Sequence, residues 1–212
     1  MPSPKISPAP AAETATAEST RQRIVSAARR HFMAHGFRGV TMDDLAAELG
    51  MSKKTLYAHF SSKTALLEAV VNDKLRSADA DFGAITCKFS SDFLGALQEL
   101  LGCVRRHSEE LQPAFTRDMA REAPELCHVV QVKRRALIQR HFGQLIGEGR
   151  KAGMIRKDIP PDLMIEILVG ATDALVNPQK LSQLNLPAKA GLTAIVTIFL
   201  EGVLTSKGRS KS

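Results

Sequence analysis

The chain has 212 residues, 44% hydrophobic and 24% charged, the balance of a folded globular chain. Its 29 Lys+Arg against 22 Asp+Glu give a formal charge of +7, which favours polyanionic partners without identifying one. Several function classes are excluded at once. One Tyr and no Trp leave little material for base-stacking platforms on single-stranded nucleic acid, and no apolar run reaches the ~18 residues a membrane helix needs. Cys87, Cys103 and Cys127 form no C-x-x-C pair, which argues against a disulfide framework or a cysteine-rich zinc site and for a reducing, cytoplasmic setting.

Residues 1–18 are rich in Pro, Ala, Ser and Thr, with Lys5 as their single cation. They lack the apolar core of an export signal and are expected to be a flexible extension. Beyond them the 3.6-residue period dominates and period-two alternation is nearly absent. Ser19 stands where it could cap a first helix, with Gln22 completing a capping box. Ile24, Ala28 and Phe32 share a face of that helix, and Gly36 stops it. Thr41 caps a short second helix whose Met42, Leu45, Ala46 and Leu49 form an apolar stripe, with Val40 and Leu45 at staple positions. Gly50 ends it. Ser52 caps a third helix, again with a staple pair, Met51 and Leu56. Ser62 caps a fourth running through Leu66, Leu67, Val70 and Val71. Longer helical segments follow near 92–107, 125–152, 161–176 and 188–204, with prolines at starts and Gly153 past an end. Residues 206–212 carry Lys207, Arg209 and Lys211 and are read as a flexible basic tail that could add non-specific attraction to DNA.

The two short helices at 41–49 and 52–59 meet at Gly50-Met51, the form of a helix-turn-helix. In such a unit the second helix enters the major groove with its N-terminal end. Leu56 and Phe60 are four apart and can bury against Leu45 and Leu49. That leaves Ser52, Lys53, Lys54, Thr55, Tyr57 and His59 outside, all able to donate a hydrogen bond and none acidic. Such a face suits phosphate oxygens and guanine acceptors. Residues 20–76 hold ten Lys+Arg and five Asp+Glu, so most of the positive excess sits around this pair.

The run from Thr20 to Val71 resembles the N-terminal domain of TetR-type transcriptional regulators. The resemblance rests on Arg21, Ile24 and Ala27-Ala28, then Phe32, Gly36-Phe37, Thr41-Met42-Asp43-Asp44-Leu45-Ala46, Gly50 through Phe60, and Ser62-Lys63 with Leu66-Leu67. Met51 and Lys54 depart mildly from the usual pattern, and Lys54 stands where it could alter base preference. The resemblance implies an all-α protein of about nine helices. Its N-terminal three-helix DNA-binding domain would span 19–65, and a larger ligand-binding and dimerisation domain 66–205. It also implies that Thr55, Tyr57, His59 and Lys63, with Thr41 beside them, contact phosphates while Ser52, Lys53 and Lys54 face base edges.

In the C-terminal part the resemblance implies a homodimer through the last two helices. Ile165, Leu168, Val169 and Thr172 on one, and Leu192, Ile195, Val196 and Phe199 on the other, are the stripes expected at that interface. Phe82, Phe93, Leu97, Leu101, Phe115, Met119, Leu137 and Phe142 are the candidates to line a pocket for a small effector. No catalytic residue, cofactor or metal ligand is expected. His31 and His35 lack the HExxH glutamate, His107, His128 and His141 show no ligand grouping, and neither a dinucleotide loop nor a G-x-S-x-G elbow is present. The expected function is therefore a non-enzymatic repressor that binds double-stranded operator DNA and is released by a small apolar or aromatic effector. A regulator or activator that ignores small molecules is the alternative.

Overall fold

The helical periodicity resolves into eleven helices in the computed structural model, which describes residues 10–209 other than 90, 111 and 177. In chain order they are α1 (Pro10–Gly39), α2 (Met42–Glu48), α3 (Lys53–His59), α4 (Lys63–Thr86), α5 (Phe93–Glu109), α6 (Pro113–Glu122), α7 (Pro124–Lys151), α8 (Pro161–Leu175), α9 (Pro178–Gln183), α10 (Ala188–Val203) and α11 (Ser206–Arg209). Among these residues, extended backbone pairs at one isolated bridge, Ile155 with Leu204. Among the described residues no helix is long and apolar enough to cross a membrane.

Two terminal expectations change. Helix α1 starts at Pro10, so Ser19 lies inside it rather than capping it, and the extension is helical from Pro10 onward. Proline suits a first helical turn, and Ala11, Ala12, Ala15 and Ala17 follow it, the strongest helix former. Residues 1–9 lie outside the described residues. At the other end Ser206–Arg209 forms a short helix, while Lys211 lies outside the described residues.

Gly36 breaks α1 as expected, with φ 80° and ψ 163°. A Cβ there would come within 2.7 Å of the Asp118 carboxylate on α6. That carboxylate accepts the Arg38 backbone N–H at 3.0 Å, so the kink and the docking of α6 depend on the same missing side chain.

The caps of the two short helices form as their sequences dictate. The Thr41 hydroxyl accepts the Asp44 backbone N–H at 3.1 Å, and the Asp44 carboxylate accepts the Thr41 N–H at 2.9 Å and its hydroxyl at 2.7 Å. Those bonds from Thr41 hold the Asp44 carboxyl below its ordinary value. A carboxyl lowered on folding contributes stability above its unfolded pKa and loses it as pH falls through the folded value. Thr41→Ala removes the hydroxyl's half of the box, while the backbone N–H at 41 still donates to Asp44, and is expected to cost about 1 kcal/mol, read as a lower denaturant midpoint with an unchanged slope. Ser52 accepts the Thr55 N–H at 3.1 Å and Ser62 the Ala65 N–H at 3.0 Å, so α3 and α4 start where they should. Gly50 takes φ 63° in the turn between α2 and α3, a conformation costly for residues with a Cβ.

Apolar side chains gather into two cores. The N-terminal one joins Ile24, Phe32 and Phe37 of α1, Leu45 of α2, Leu56 of α3, and Leu66, Leu67 and Val70 of α4. Phe115 of α6 completes it. This core therefore reaches past residue 65, the expected domain limit. Helix α4 passes from one core to the other, and α6 closes the first from the far side of the sequence. The second core takes Ile85, Phe93, Leu97, Leu100, Phe142, Leu145, Met164, Leu168, Val196 and Phe199, from α4, α5, α7, α8 and α10.

Candidate nucleic-acid interface

Helix α3 has seven residues, too few to be stable alone, so its orientation is imposed by what it buries. Leu56 is 0% exposed and Phe60 nearly so, which fixes the opposite face outward. Ser52, Lys53, Lys54, Thr55 and Tyr57 are all exposed, and Tyr57 keeps 47% of its surface in solvent. Thr41, at the start of α2, is exposed as well.

The outward side chains are not equally free. Lys53 is paired with Asp43 of α2 at 2.6 Å. The hydroxyls of Ser52 and Thr55 lie 2.9 Å apart and satisfy one another. Lys54 has no ion-pair partner among the described residues, and it is the open cation at the tip of the helix. His59 is half-buried rather than exposed. Lys63 is half-buried too, with its ammonium 4.3 Å from the centre of the Phe37 ring. Partial burial pushes that ammonium's pKa down, against the pull of Asp118 and Glu122. A cation on an aromatic face is already partly solvated by the ring, so Lys63 is less available to a phosphate than Lys54.

Arg21 of α1 gains a role the sequence did not assign. Its guanidinium donates to the His59 carbonyl at 3.0 Å and lies 4.2 Å from the centre of the Phe60 ring. It thus braces the C-terminal end of α3 from a distance of 38 positions in sequence. Among the side chains discounted as ligands, His31 is engaged by Glu48 and sits 5.8 Å from the His35 ring.

The expected effector-lining residues do not form one group. Phe93, Leu97 and Phe142 are buried in the C-terminal core, with Phe82 and Leu101 packed against it. Phe115 and Met119 belong instead to the N-terminal core, because α6 folds back onto α1. Leu137 is half-buried on α7, outside both cores. A cleft of about 540 Å³ lies elsewhere, lined by Ser26, Arg29, Arg30, Met33, Ala34, Asp73, Glu110 and Gln112, and includes none of the eight.

The expected dimer stripes are turned inward. Leu168, Val169, Thr172, Ile195, Val196 and Phe199 are buried within the protomer, and Ile165 and Leu192 pack against the same core. The six buried side chains leave a partner little surface, because α8 packs on α7 and α10, and α10 on α5, while Ile165 and Leu192 stay half-buried. The apolar residues left in solvent lie one step around each helix: Leu163 and Ile167 on α8, and Ile198 on α10.

A capped pair of short helices, held by a shared apolar core and presenting donors on the second helix, defines a helix-turn-helix DNA-binding unit on an all-helical body. Comparison with known proteins agrees. A sequence model described as "Bacterial regulatory proteins, tetR family" matches residues 24–70. The HTH-type transcriptional repressor SCO4008 of Streptomyces coelicolor is 30% identical over 166 residues, 76% of this chain and 81% of that protein. The HTH-type transcriptional repressor DhaR of a Mycobacterium species is 25% identical over 200 residues, 88% of this chain and 93% of that one. Two solved structures share the fold. A TetR-family regulator from Mesorhizobium loti has a TM-score of 0.65 at 20% identity, covering 89% of this chain and 98% of its own. SmeT, a repressor from Stenotrophomonas maltophilia, has a TM-score of 0.61 at 16% identity, covering 90% and 93%. The chain belongs to the TetR family of transcriptional regulators.

Proposed function

We propose that the protein is a homodimeric, effector-responsive repressor that reads operator DNA with the outer face of α3. The single observation that carries the site assignment is the anchoring of Leu56 at 0% exposure, which leaves Lys54, Thr55 and Tyr57 outside. Lys54, unpaired among the described residues, is the proposed base-reading cation. Ser52 and Lys53 stand beside it, with Lys53 giving up Asp43 on contact. Thr41, Thr55 and Tyr57 are proposed to hold phosphates, with His59 and Lys63 at the edge of the footprint. Phosphate contacts strengthen binding to any sequence, and base contacts select among sequences.

Dimerisation is proposed through the outer faces of α8 and α10, around Leu163, Ile167 and Ile198, which gives two copies of α3 and a two-fold operator. The effector is proposed to be a small apolar or aromatic molecule entering the C-terminal core near Phe82, Phe93, Leu97, Leu101 and Phe142. It would act by favouring a form whose two recognition helices no longer match the operator.

Selecting bound sequences from random duplexes should return a two-fold motif. On that motif, Tyr57→Ala and Lys63→Ala should weaken binding to all DNA, Tyr57→Ala the more because Lys63 is partly engaged by Phe37. Lys54→Ala should relax preference at one position of each half-site, by the ~1–3 kcal/mol of a good base contact. Unchanged affinity and selectivity in all three variants would show that the DNA surface lies elsewhere.

A further inference from the structure

We propose that Asp81, Cys103 and His107 form a binding site for a thiophilic divalent cation of the zinc class, and that filling it loosens the ion-pair chain tying α1 to α4 and α5. The second half rests on the DNA-binding function proposed above; the first does not. Cys103 and His107 are four apart on α5 and so share a face, and Asp81 comes from α4. One ligand atom from each lies within 4.8 Å of the other two. Tetrahedral zinc with bonds of about 2.0–2.3 Å needs ligand atoms roughly 3.5 Å apart, so small side-chain rotations close the site. His107 Nε2 already lies 2.9 Å from the Asp81 carboxylate.

The three environments differ in a useful way. Cys103 is fully buried, while Asp81 lies on the rim, its side chain 53% exposed. Three protein ligands with one side open leave a fourth position for water, unlike the closed four-ligand sites of structural zinc. The edge of the Phe82 ring steadies His107, with ring centres 5.7 Å apart. Burial pushes the Cys103 thiol up, and Arg106 beside it favours the thiolate. On coordination the thiol proton leaves to solvent and the sulfur binds the metal as thiolate.

The other edge of His107 supplies the coupling. Its Nδ1 lies 3.5 Å from the Lys74 ammonium. An ammonium has only donors, so Nδ1 must accept there and Nε2 must carry the hydrogen that points at Asp81. A metal on Nε2 reverses this: the neutral ring then carries its hydrogen on Nδ1, and donor faces donor. Lys74, only 8% exposed, has little room to turn. It is bound to Glu110 at 2.8 Å, Glu110 accepts Arg29 of α1 at 2.6 Å, and Arg29 reaches Asp73 at 3.5 Å. Displacing Lys74 therefore disturbs the contacts that seat α1, the helix whose Arg21 braces α3.

The test uses the reduced full-length protein with Co²⁺ and Zn²⁺ as probes. One equivalent of Co²⁺ per chain should give a thiolate-to-metal charge-transfer band that persists in Cys87→Ser and Cys127→Ser and vanishes in Cys103→Ser. Zinc affinity should fall at least tenfold in His107→Gln and in Asp81→Asn, the latter on the exposed rim where the core is untouched. A band that survives Cys103→Ser, or zinc affinity unchanged in both other variants, overturns the site. Zinc should also weaken operator binding at least fivefold, the lower end of usual allosteric coupling, and should not do so in Asp81→Asn. Stoichiometric zinc with unchanged operator affinity overturns the coupling. Apoprotein that binds no DNA at all overturns the proposed function and leaves the metal site standing.

Discussion

Ile198→Glu is expected to split the dimer and to lower operator affinity at least 100-fold. Ile198 is 70% exposed, the highest among the large apolar side chains of the described residues. Leu163 and Ile167 stand on neighbouring α8, four residues apart and so on one helical face. A two-fold interface brings each residue against its own copy or a near neighbour. A carboxylate placed there is buried without a partner, and the second copy repeats the cost. The effect on DNA follows from geometry rather than from any contact with it. Two linked reading heads gain about 10²–10⁴ in affinity over one, and a monomer forfeits that gain while keeping its α3 intact. Sedimentation and operator titration on the same samples check both halves. Ile198→Ala should dissociate less readily. An Ile198→Glu protein that remains a dimer with full affinity would move the interface to another face.

The proposed interface also shows where the sequence was readable and where it was not. Local signals carried well. The Thr41, Ser52 and Ser62 caps, the Gly36 break and the Gly50 turn are each decided by residues within four positions, and all form as read. The burial of Leu56 and Phe60 follows from spacing alone, so the outward face of α3 was legible in the sequence except at His59, which is half-buried. Stripes on α8 and α10 were legible only as apolar. These helices are apolar on more than one face, and the period does not say which face meets the protomer's own core. Packing within the protomer took Leu168, Val169, Val196 and Phe199 inward and left Leu163, Ile167 and Ile198 outside.

Long-range placement was the other blind spot. Helix α6 was not foreseen, and Phe115 was assigned to the C-terminal half because it lies there in sequence. It is buried instead against α1, because Gly36 admits α6 at a distance a side chain would forbid. The same limit hid Arg21 on the His59 carbonyl and the meeting of Asp81 with Cys103 and His107. Spacing along the chain reveals ligands only on one element, whereas Asp81 arrives from a different helix.

Leu56→Ala is expected to destabilise the protein by about 2–5 kcal/mol, the usual cost of emptying a fully buried leucine site. For a chain of this size that lowers Tm by roughly 5–15 °C. The consequence for DNA should exceed what the fall in Tm suggests. Helix α3 is one short segment with two inward anchors, Leu56 and Phe60, and a seven-residue helix has almost no intrinsic stability to fall back on. Removing one anchor should let α3 open locally while α4 and the C-terminal core stay folded. Hydrogen exchange then separates the two effects: α3 amides should lose protection selectively, and operator affinity should drop even well below the new Tm. Leu56→Met, which keeps the volume, should restore most of both. Protection that falls evenly across α1 to α4 would mean that the N-terminal core melts as one unit, and that α3 has no independent weakness to exploit.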